Sequence, residues 1–151
     1  MVVLDPAIEP YTKVLPEVTD FSRPFLEALK AHEFKVQKCS TCGEYGWVPY
    51  PACRTCFSDT LEWTTVSGKA TLYSYTVIHR AAAGFADDAP YVVAMGELVE
   101  KPRSCLVFAE LVGSDPETLH IGQPLEIAFL DIPSEDLTVY RWVAETSEPV
   151  T

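Results

Sequence analysis

Cys39-Ser-Thr-Cys42 and Cys53-Arg-Thr-Cys56 are the residues of this 151-residue chain whose type and spacing could do chemistry. Two thiolates separated by two residues wrap one tight turn and point at a common centre. A second such turn, ten residues on, completes a tetrahedron of sulfurs, which zinc accepts as a closed structural site. A lone CxxC would also fit a thioredoxin-type redox motif, and a disulfide pair is a further alternative. Two copies within 18 residues favour the metal knuckle. Iron takes the same four thiolates, but nothing else speaks for a rubredoxin-like electron carrier, so zinc is favoured. Gly43 follows the first pair, where the chain must turn back, and Pro51 stiffens the approach to the second. Phe57 stands where a second glycine is expected. The ten-residue spacer is shorter than the roughly 15–20 residues of the common zinc-ribbon pattern, which predicts a compact rubredoxin-like hairpin. With all four positions filled by protein, no open position is left for substrate, and the centre reads as structural.

Other candidates are sparse. His79-Arg80 ends a strand-like run and opens the loop Ala81–Pro90, where an imidazole and a guanidinium could meet a thioester or a phosphate. The plainer reading has His79 closing the strand and Arg80 paired with Asp87 or Asp88. Phe85, at the centre of that small apolar loop, could cover a ligand or wedge into a partner; an ordinary barrel loop would look the same. Tyr91 opens the next strand. His79, Arg80, Phe85 and Tyr91 are therefore the candidate contacts to a ligand or a partner. Tyr73 and Tyr75 share a face by the period of two, a stacking platform in nucleic-acid binders but equally a protein interface. Cys105, alone in an apolar run, reads as a buried small hydrophobe, while Trp47, Trp63 and Trp142 read as core. No phosphate loop, Ser-His-Asp spacing or carboxylate–histidine metal motif is present. No catalytic residue is assigned, and the chain acting alone is expected to catalyse nothing.

The elements that must position these groups follow from pattern. Residues 1–19, with Pro6, Pro10 and Pro16, read as an extended arm. Ser22 reads as a helix N-cap, with Pro24 in the first turn and Phe25, Leu26 and Leu29 on one face, to about Ala31. Phe34–Lys38 alternates like a strand into the first cysteine pair, and Leu61–Val66 leaves the second. Residues 20–67 thus form a helix and ribbon. Residues 68–145 hold five expected strands, Ala70–His79, Tyr91–Leu98, Ser104–Leu111, Leu125–Phe129 and Leu137–Trp142, separated by Gly and Pro turns. The fold class is mainly β, with a five-stranded OB-fold barrel expected and an SH3-like barrel as the alternative. Residues 146–151 read as a tail.

Charge narrows the partners. The formal net charge is −11, and residues 68–145 hold five basic and twelve acidic residues, net −7. That balance repels polyanions on average and opposes nucleic-acid binding. No apolar run is long enough for a membrane span, and the N-terminus lacks a signal-peptide pattern. Free cysteines then suit a reducing cytoplasm.

Taken together, these segments resemble the acyl-CoA-associated family of zinc-ribbon/OB-fold proteins, formerly a domain of unknown function. The resemblance rests on Phe25-Leu-Glu-Ala-Leu, Gln37-Lys-Cys39-Ser-Thr-Cys42-Gly, Tyr50-Pro-Ala-Cys53-Arg-Thr-Cys56 and Glu62-Trp-Thr-Thr-Val-Ser-Gly68-Lys-Ala. It continues through Tyr73-Ser-Tyr-Thr-Val-Ile-His79-Arg80, Gly84–Ala94 and Ile121–Ile127, so it covers residues 20–145. Glu100-Lys101-Pro102 and Phe57 depart from the family's glycine-containing turns without touching the cysteines. The resemblance implies an accessory subunit, in a hetero-oligomer, that stabilises a thiolase-like acyltransferase or aldolase. It also implies that the subunit helps form the acyl-CoA channel and shields it from water, with steroid side-chain CoA retro-aldol cleavage (steroid degradation, lipid metabolism) among the settings. Structural Zn2+ and a coenzyme A thioester are the implied metal and ligand, which makes His79, Arg80, Phe85 and Tyr91 the candidate contacts to the acyl-CoA, its pantetheine arm included, or to the partner. A single-stranded nucleic-acid module is the alternative that ribbon plus barrel permits.

Overall fold

A strand that alternates apolar and polar side chains buries one face only, so such strands must close on themselves or meet another layer. The structure, a computed structural model describing residues 1–145, does both; the tail expected at 146–151 lies outside the described residues. The elements run β1 (Val2–Val3), α1 (Arg23–Lys30), β2 (Lys35–Cys39), β3 (Tyr45–Gly46), β4 (Leu61–Thr65), β5 (Lys69–Ile78), β6 (Tyr91–Leu98), β7 (Leu106–Val112), β8 (Pro124–Ile132) and β9 (Leu137–Ala144).

β2, β3 and β4 form a three-stranded antiparallel sheet in the order β3-β2-β4, the ribbon. β5 to β9 form a closed barrel. β5 pairs with β6 and β6 with β7, β7 meets β9 in parallel at Leu111–Trp142, and β8 closes the ring against both β9 and β5. Numbered within the barrel this is the order 1-2-3-5-4-1 of an OB-fold, which leaves the described barrel strands no long free edge. The mainly β fold class therefore holds, with α1 as its helix.

Burial in β6 alternates strictly, with Val92, Ala94, Gly96 and Leu98 inside. β5 does not keep phase. Ala70 and Leu72 point in, a bulge falls between Leu72 and Ser74, and from there Tyr75 and Val77 are the residues packed on the core. An extra residue in one strand flips every later side chain. Tyr73 is thus left exposed while Tyr75 donates its hydroxyl proton to the Leu119 carbonyl at 3.3 Å. The shared face expected of Tyr73 and Tyr75 does not form.

α1 stands at Ser22, but that side chain does not cap it. The hydroxyl instead donates to the Glu17 carbonyl and accepts the Thr19 amide, both at 2.9 Å. The reason is local: Ser22 itself has helical backbone angles, φ −85° and ψ −19°, instead of the extended ones of a capping residue, and its hydroxyl is committed to the preceding turn. Leu26 and Leu29 bury the inner face of α1, and with Phe34 and Val36 they join Val92, Val107 and Trp142 in one apolar cluster. Phe25, Phe34 and Trp47 all meet the Tyr140 ring edge-on. Ribbon, helix and barrel therefore share a core.

The N-terminal residues run along the barrel. β1 adds to β8 in parallel, and the Leu4 and Ala7 amides donate to the Phe129 and Asp131 carbonyls, each at 2.8 Å. Glu9 accepts the Ser134 hydroxyl at 2.6 Å, and Lys13 pairs with Asp88 at 2.8 Å.

Candidate functional site

Each cysteine pair is held by a matching turn. The Gly43 amide donates to the Cys39 carbonyl at 2.8 Å, and the Phe57 amide donates to the Cys53 carbonyl at 2.9 Å. Both residues that end these turns lie in the left-handed region, Gly43 at φ 75° and Phe57 at φ 62°. A glycine does this freely, whereas a phenylalanine costs about 1–2 kcal/mol. The turns bring the four sulfurs within 4.8 Å of one another, with Cys39–Cys56 and Cys42–Cys53 both 3.6 Å apart. Zinc–sulfur bonds of about 2.3 Å in a tetrahedron put sulfurs ~3.8 Å apart. The donor set and its spacing fit one tetrahedral metal ion.

The surroundings favour thiolate unevenly. Cys39 is fully buried; the Ser58 hydroxyl at 3.2 Å, then the Cys42 amide, hold its thiol down to about 5. Cys53 is also lowered, first by the Cys56 amide and then by that of Thr55. Cys42 receives the Glu44 amide, yet desolvation and the neighbouring sulfurs push it up to about 12. Four thiolates cannot share this space without a cation. Ser58 and Thr60, whose hydroxyls ring the Cys39 sulfur, were not signalled by the cysteine spacing. Their place two and four residues past Cys56 is the only trace they leave in the sequence.

The other expected contacts separate into two groups. Phe85 and Tyr91 meet, with ring centroids 5.6 Å apart, and Lys13 from the N-terminal arm lies over Phe85 at 5.7 Å. Gly84 beside them has φ 87°, and a Cβ there would stand 2.9 Å from the Thr12 carbonyl oxygen. The arm thus fixes this loop. His79 and Arg80 are exposed just past the end of β5. Asp88, considered as a partner for Arg80, pairs with Lys13 instead. Cys105 is buried at 1% exposure, and desolvation pushes its thiol up to about 11.

A feature that spacing did not signal lies between ribbon and barrel. A cleft of about 440 Å³ is lined by Gln37, Glu44–Trp47, Tyr50 and Ala52–Thr55 from the ribbon side, and by Ser104 and Leu106 from the barrel. Gln37 is buried and brackets Tyr50, its amide donating to the Tyr50 carbonyl at 3.1 Å and its oxygen accepting the Tyr50 N–H at 2.7 Å. Arg54 stacks on the Tyr50 ring at 4.9 Å and donates to its hydroxyl at 3.0 Å.

Comparison with known proteins places this geometry. Two family models match, "ChsH2, rubredoxin-like zinc ribbon domain" over residues 26–62 and "ChsH2, C-terminal OB-fold domain" over residues 63–130. A DUF35 domain-containing scaffold protein of Methanothermobacter thermautotrophicus is 32% identical over 121 residues, 78% of this chain and 87% of that protein. The chain belongs to the DUF35 family. The four-cysteine ribbon of this DUF35 chain is thus a zinc ribbon, followed by an OB-fold. The solved structure titled "Ltp2-ChsH2(DUF35) aldolase" superposes with a TM-score of 0.73 at 28% identity, covering 86% of this chain and 98% of that one. The 3-oxo-4,17-pregnadiene-20-carboxyl-CoA hydratase alpha subunit of Mycobacterium tuberculosis is 30% identical over 89% of this chain. Benzoylsuccinyl-CoA thiolase subunit BbsA of Geobacter metallireducens is 28% identical over 74% of this chain and 74% of that protein. The chain spans about two fifths of the hydratase subunit, 41% of its length. By their names these relatives are a scaffold protein, a hydratase subunit, a thiolase subunit and a chain of an aldolase. Among the described residues no helix is long and apolar enough to cross a membrane.

Proposed function

We propose that this chain is the accessory subunit of a thiolase-like aldolase or acyltransferase, which it binds, stabilises and helps to furnish with an acyl-CoA channel. The observation that carries this reading is its match to nearly all, 98%, of one chain of an aldolase assembly. The thiolase subunit among its relatives supports a thiolase-like partner, and the CoA thioesters in the relatives' names support the ligand class. The steroid acid in the hydratase subunit's name, taken with the aldolase of the solved structure, supports steroid side-chain retro-aldol cleavage as the specific reaction proposed. Reaction and substrate belong to the complex; this subunit contributes position and enclosure. His79, Arg80 and the Phe85–Tyr91 pair, gathered near one end of β5, are the proposed partner or acyl-CoA contacts.

In the ribbon, Cys39, Cys42, Cys53 and Cys56 would hold Zn2+. A closed thiolate site supplies folding energy and no substrate chemistry. Four such thiols suit a reducing compartment such as the cytoplasm.

The test is co-expression with a thiolase-like protein, followed by co-purification and assay of CoA-thioester cleavage. Joint elution, with activity that needs both chains, is the expected result. A thiolase-like partner that is stable and fully active without this chain refutes the reading. A salt-dependent mobility shift with single-stranded oligonucleotides would instead support the nucleic-acid alternative.

A further inference from the structure

A chain of hydroxyls runs from the first cysteine turn to two of the four sulfurs. Thr41 Oγ1 lies 2.7 Å from Thr60 Oγ1, and Thr60 Oγ1 lies 3.0 Å from Ser58 Oγ. Ser58 Oγ in turn stands 3.2 Å from Cys39 Sγ and 3.2 Å from Cys56 Sγ. The backbone fixes this arrangement. The Cys53 amide donates to the Ser58 carbonyl at 2.8 Å, and the Ser40 amide donates to the Thr60 carbonyl at 2.9 Å. Residues 58–60 are therefore tied to both cysteine turns by bonds that need no metal. Cys39 is fully buried, so water has little access to replace a lost hydroxyl there. The support is one-sided. Cys53 takes the Thr55 amide at 3.4 Å, and the exposed Cys42 is met by no hydroxyl among the described residues.

A metal-bound cysteine is a thiolate, which accepts hydrogen bonds and has no proton to give. That fixes the direction of the chain. Ser58 donates to sulfur, its oxygen accepts the Thr60 proton, and Thr60 accepts from Thr41. Each bond polarises the next in the same sense. A tetrathiolate site is anionic, and here its sulfurs meet neutral hydroxyls and amides, with no lysine or arginine bonded to them. We propose that Ser58 is the positioning residue of the metal site: its hydroxyl, oriented by Thr60 and Thr41, aligns Cys39 and Cys56 on the ion and sets how tightly the ribbon holds it. Groups that orient metal ligands in this way typically contribute about 10–100-fold in metal affinity. The inference concerns the ribbon's own metal chemistry and stands apart from the identity of any partner or substrate.

Competition for zinc between the full chain and a chromogenic chelator tests it. Ser58→Ala is expected to weaken zinc about 10–100-fold, Thr60→Val to weaken it less, and Ser58→Thr, which keeps a hydroxyl, to stay near wild type. Cobalt in place of zinc supplies a readout that packing alone would not move. A sulfur that loses its O–H donor holds its electrons less tightly, so the sulfur-to-cobalt charge-transfer band of Ser58→Ala should shift to longer wavelength, and that of Ser58→Thr should not. Circular dichroism of the metal-loaded variants checks that they fold. Equal zinc affinity in wild type and Ser58→Ala overturns the proposal. A weaker affinity with an unmoved cobalt band, or one that Ser58→Thr does not recover, overturns it too, because Ser58 would then act by packing. Thr60→Val leaves the Ser58 side chain in place and decides the matter if Ser58→Ala does not fold: wild-type affinity and an unmoved band in that variant overturn the relay, and a loss with a shifted band supports it.

Discussion

Gly96→Ala should destabilise the barrel far more than one methyl group suggests. Gly96 sits mid-strand in β6, and a Cβ built there lies 2.7 Å from Cε2 and 3.0 Å from Cη2 of Trp142. Contacts that short cannot persist, so the indole must move. It has little room: Trp142 is fully buried, and its Nε1–H donates to the Val107 carbonyl at 3.1 Å. Overpacking of a filled core costs about 1–3 kcal/mol, and a buried indole pulled from its acceptor costs about 1–3 kcal/mol more. Against this, alanine recovers about 0.5–1 kcal/mol of glycine's backbone entropy. The net expectation is a loss of about 2–4 kcal/mol, or a Tm lower by roughly 5–15 °C. Urea unfolding followed by tryptophan fluorescence and by far-ultraviolet circular dichroism measures it. Trp142→Phe supplies the control, because it trims the ring that clashes. In the wild-type background it should be costly, because it leaves a cavity in a filled core. In the Gly96→Ala background it should cost at least about 1 kcal/mol less, since the two sites are coupled. Stability within about 0.5 kcal/mol of wild type for Gly96→Ala, or additive effects in the cycle, would refute the close approach of β6 to Trp142.

Three further outcomes are expected. Cys39→Ser, or exposure to a zinc chelator, should unfold the ribbon and expose the α1 face of the shared core; unchanged near-ultraviolet dichroism after complete zinc loss would argue against a structural metal. Phe57→Gly should raise stability by about 1 kcal/mol, because Phe57 holds φ 62° with its ring 82% exposed and gains little from burial in return; a lower urea midpoint would show that the ring packs in solution. Asp131 has its carboxyl held below the usual range, first by the Thr138 hydroxyl at 2.6 Å and then by His32. A depressed carboxyl adds stability that is complete above its unfolded value, near 3.8, and disappears as pH falls through the folded value. Asp131→Asn should flatten the urea midpoint's dependence on pH below about 4; an unchanged slope would assign that dependence to other carboxylates.

Local rules made much of this fold legible. Strict alternation located Tyr91–Leu98 to the residue, because nothing interrupts its pleat. Paired cysteines with a turn residue after each defined the knuckles, since metal geometry leaves few other arrangements. Legibility failed where one element's fate was decided by another. The Leu72–Ser74 bulge is invisible to a count of two, since a period carries no mark of an inserted residue. Ser22 reads as a cap because its type fits, whereas its helical backbone and its bonds to Glu17 and Thr19 are set by the preceding turn. The N-terminal arm gave no periodic signal because its order comes from β8, Ser134 and Asp88.

The cleft is the sharper case. Its walls come from residues 37–61 and from Ser104 and Leu106, so no window of sequence contains it. An average of −7 over residues 68–145 describes how the barrel meets a distant polyanion, whereas the cleft presents one arginine, Arg54, and one carboxylate, Glu44, that already pairs with Lys101; a charge count over a sequence window resolves no such local arrangement.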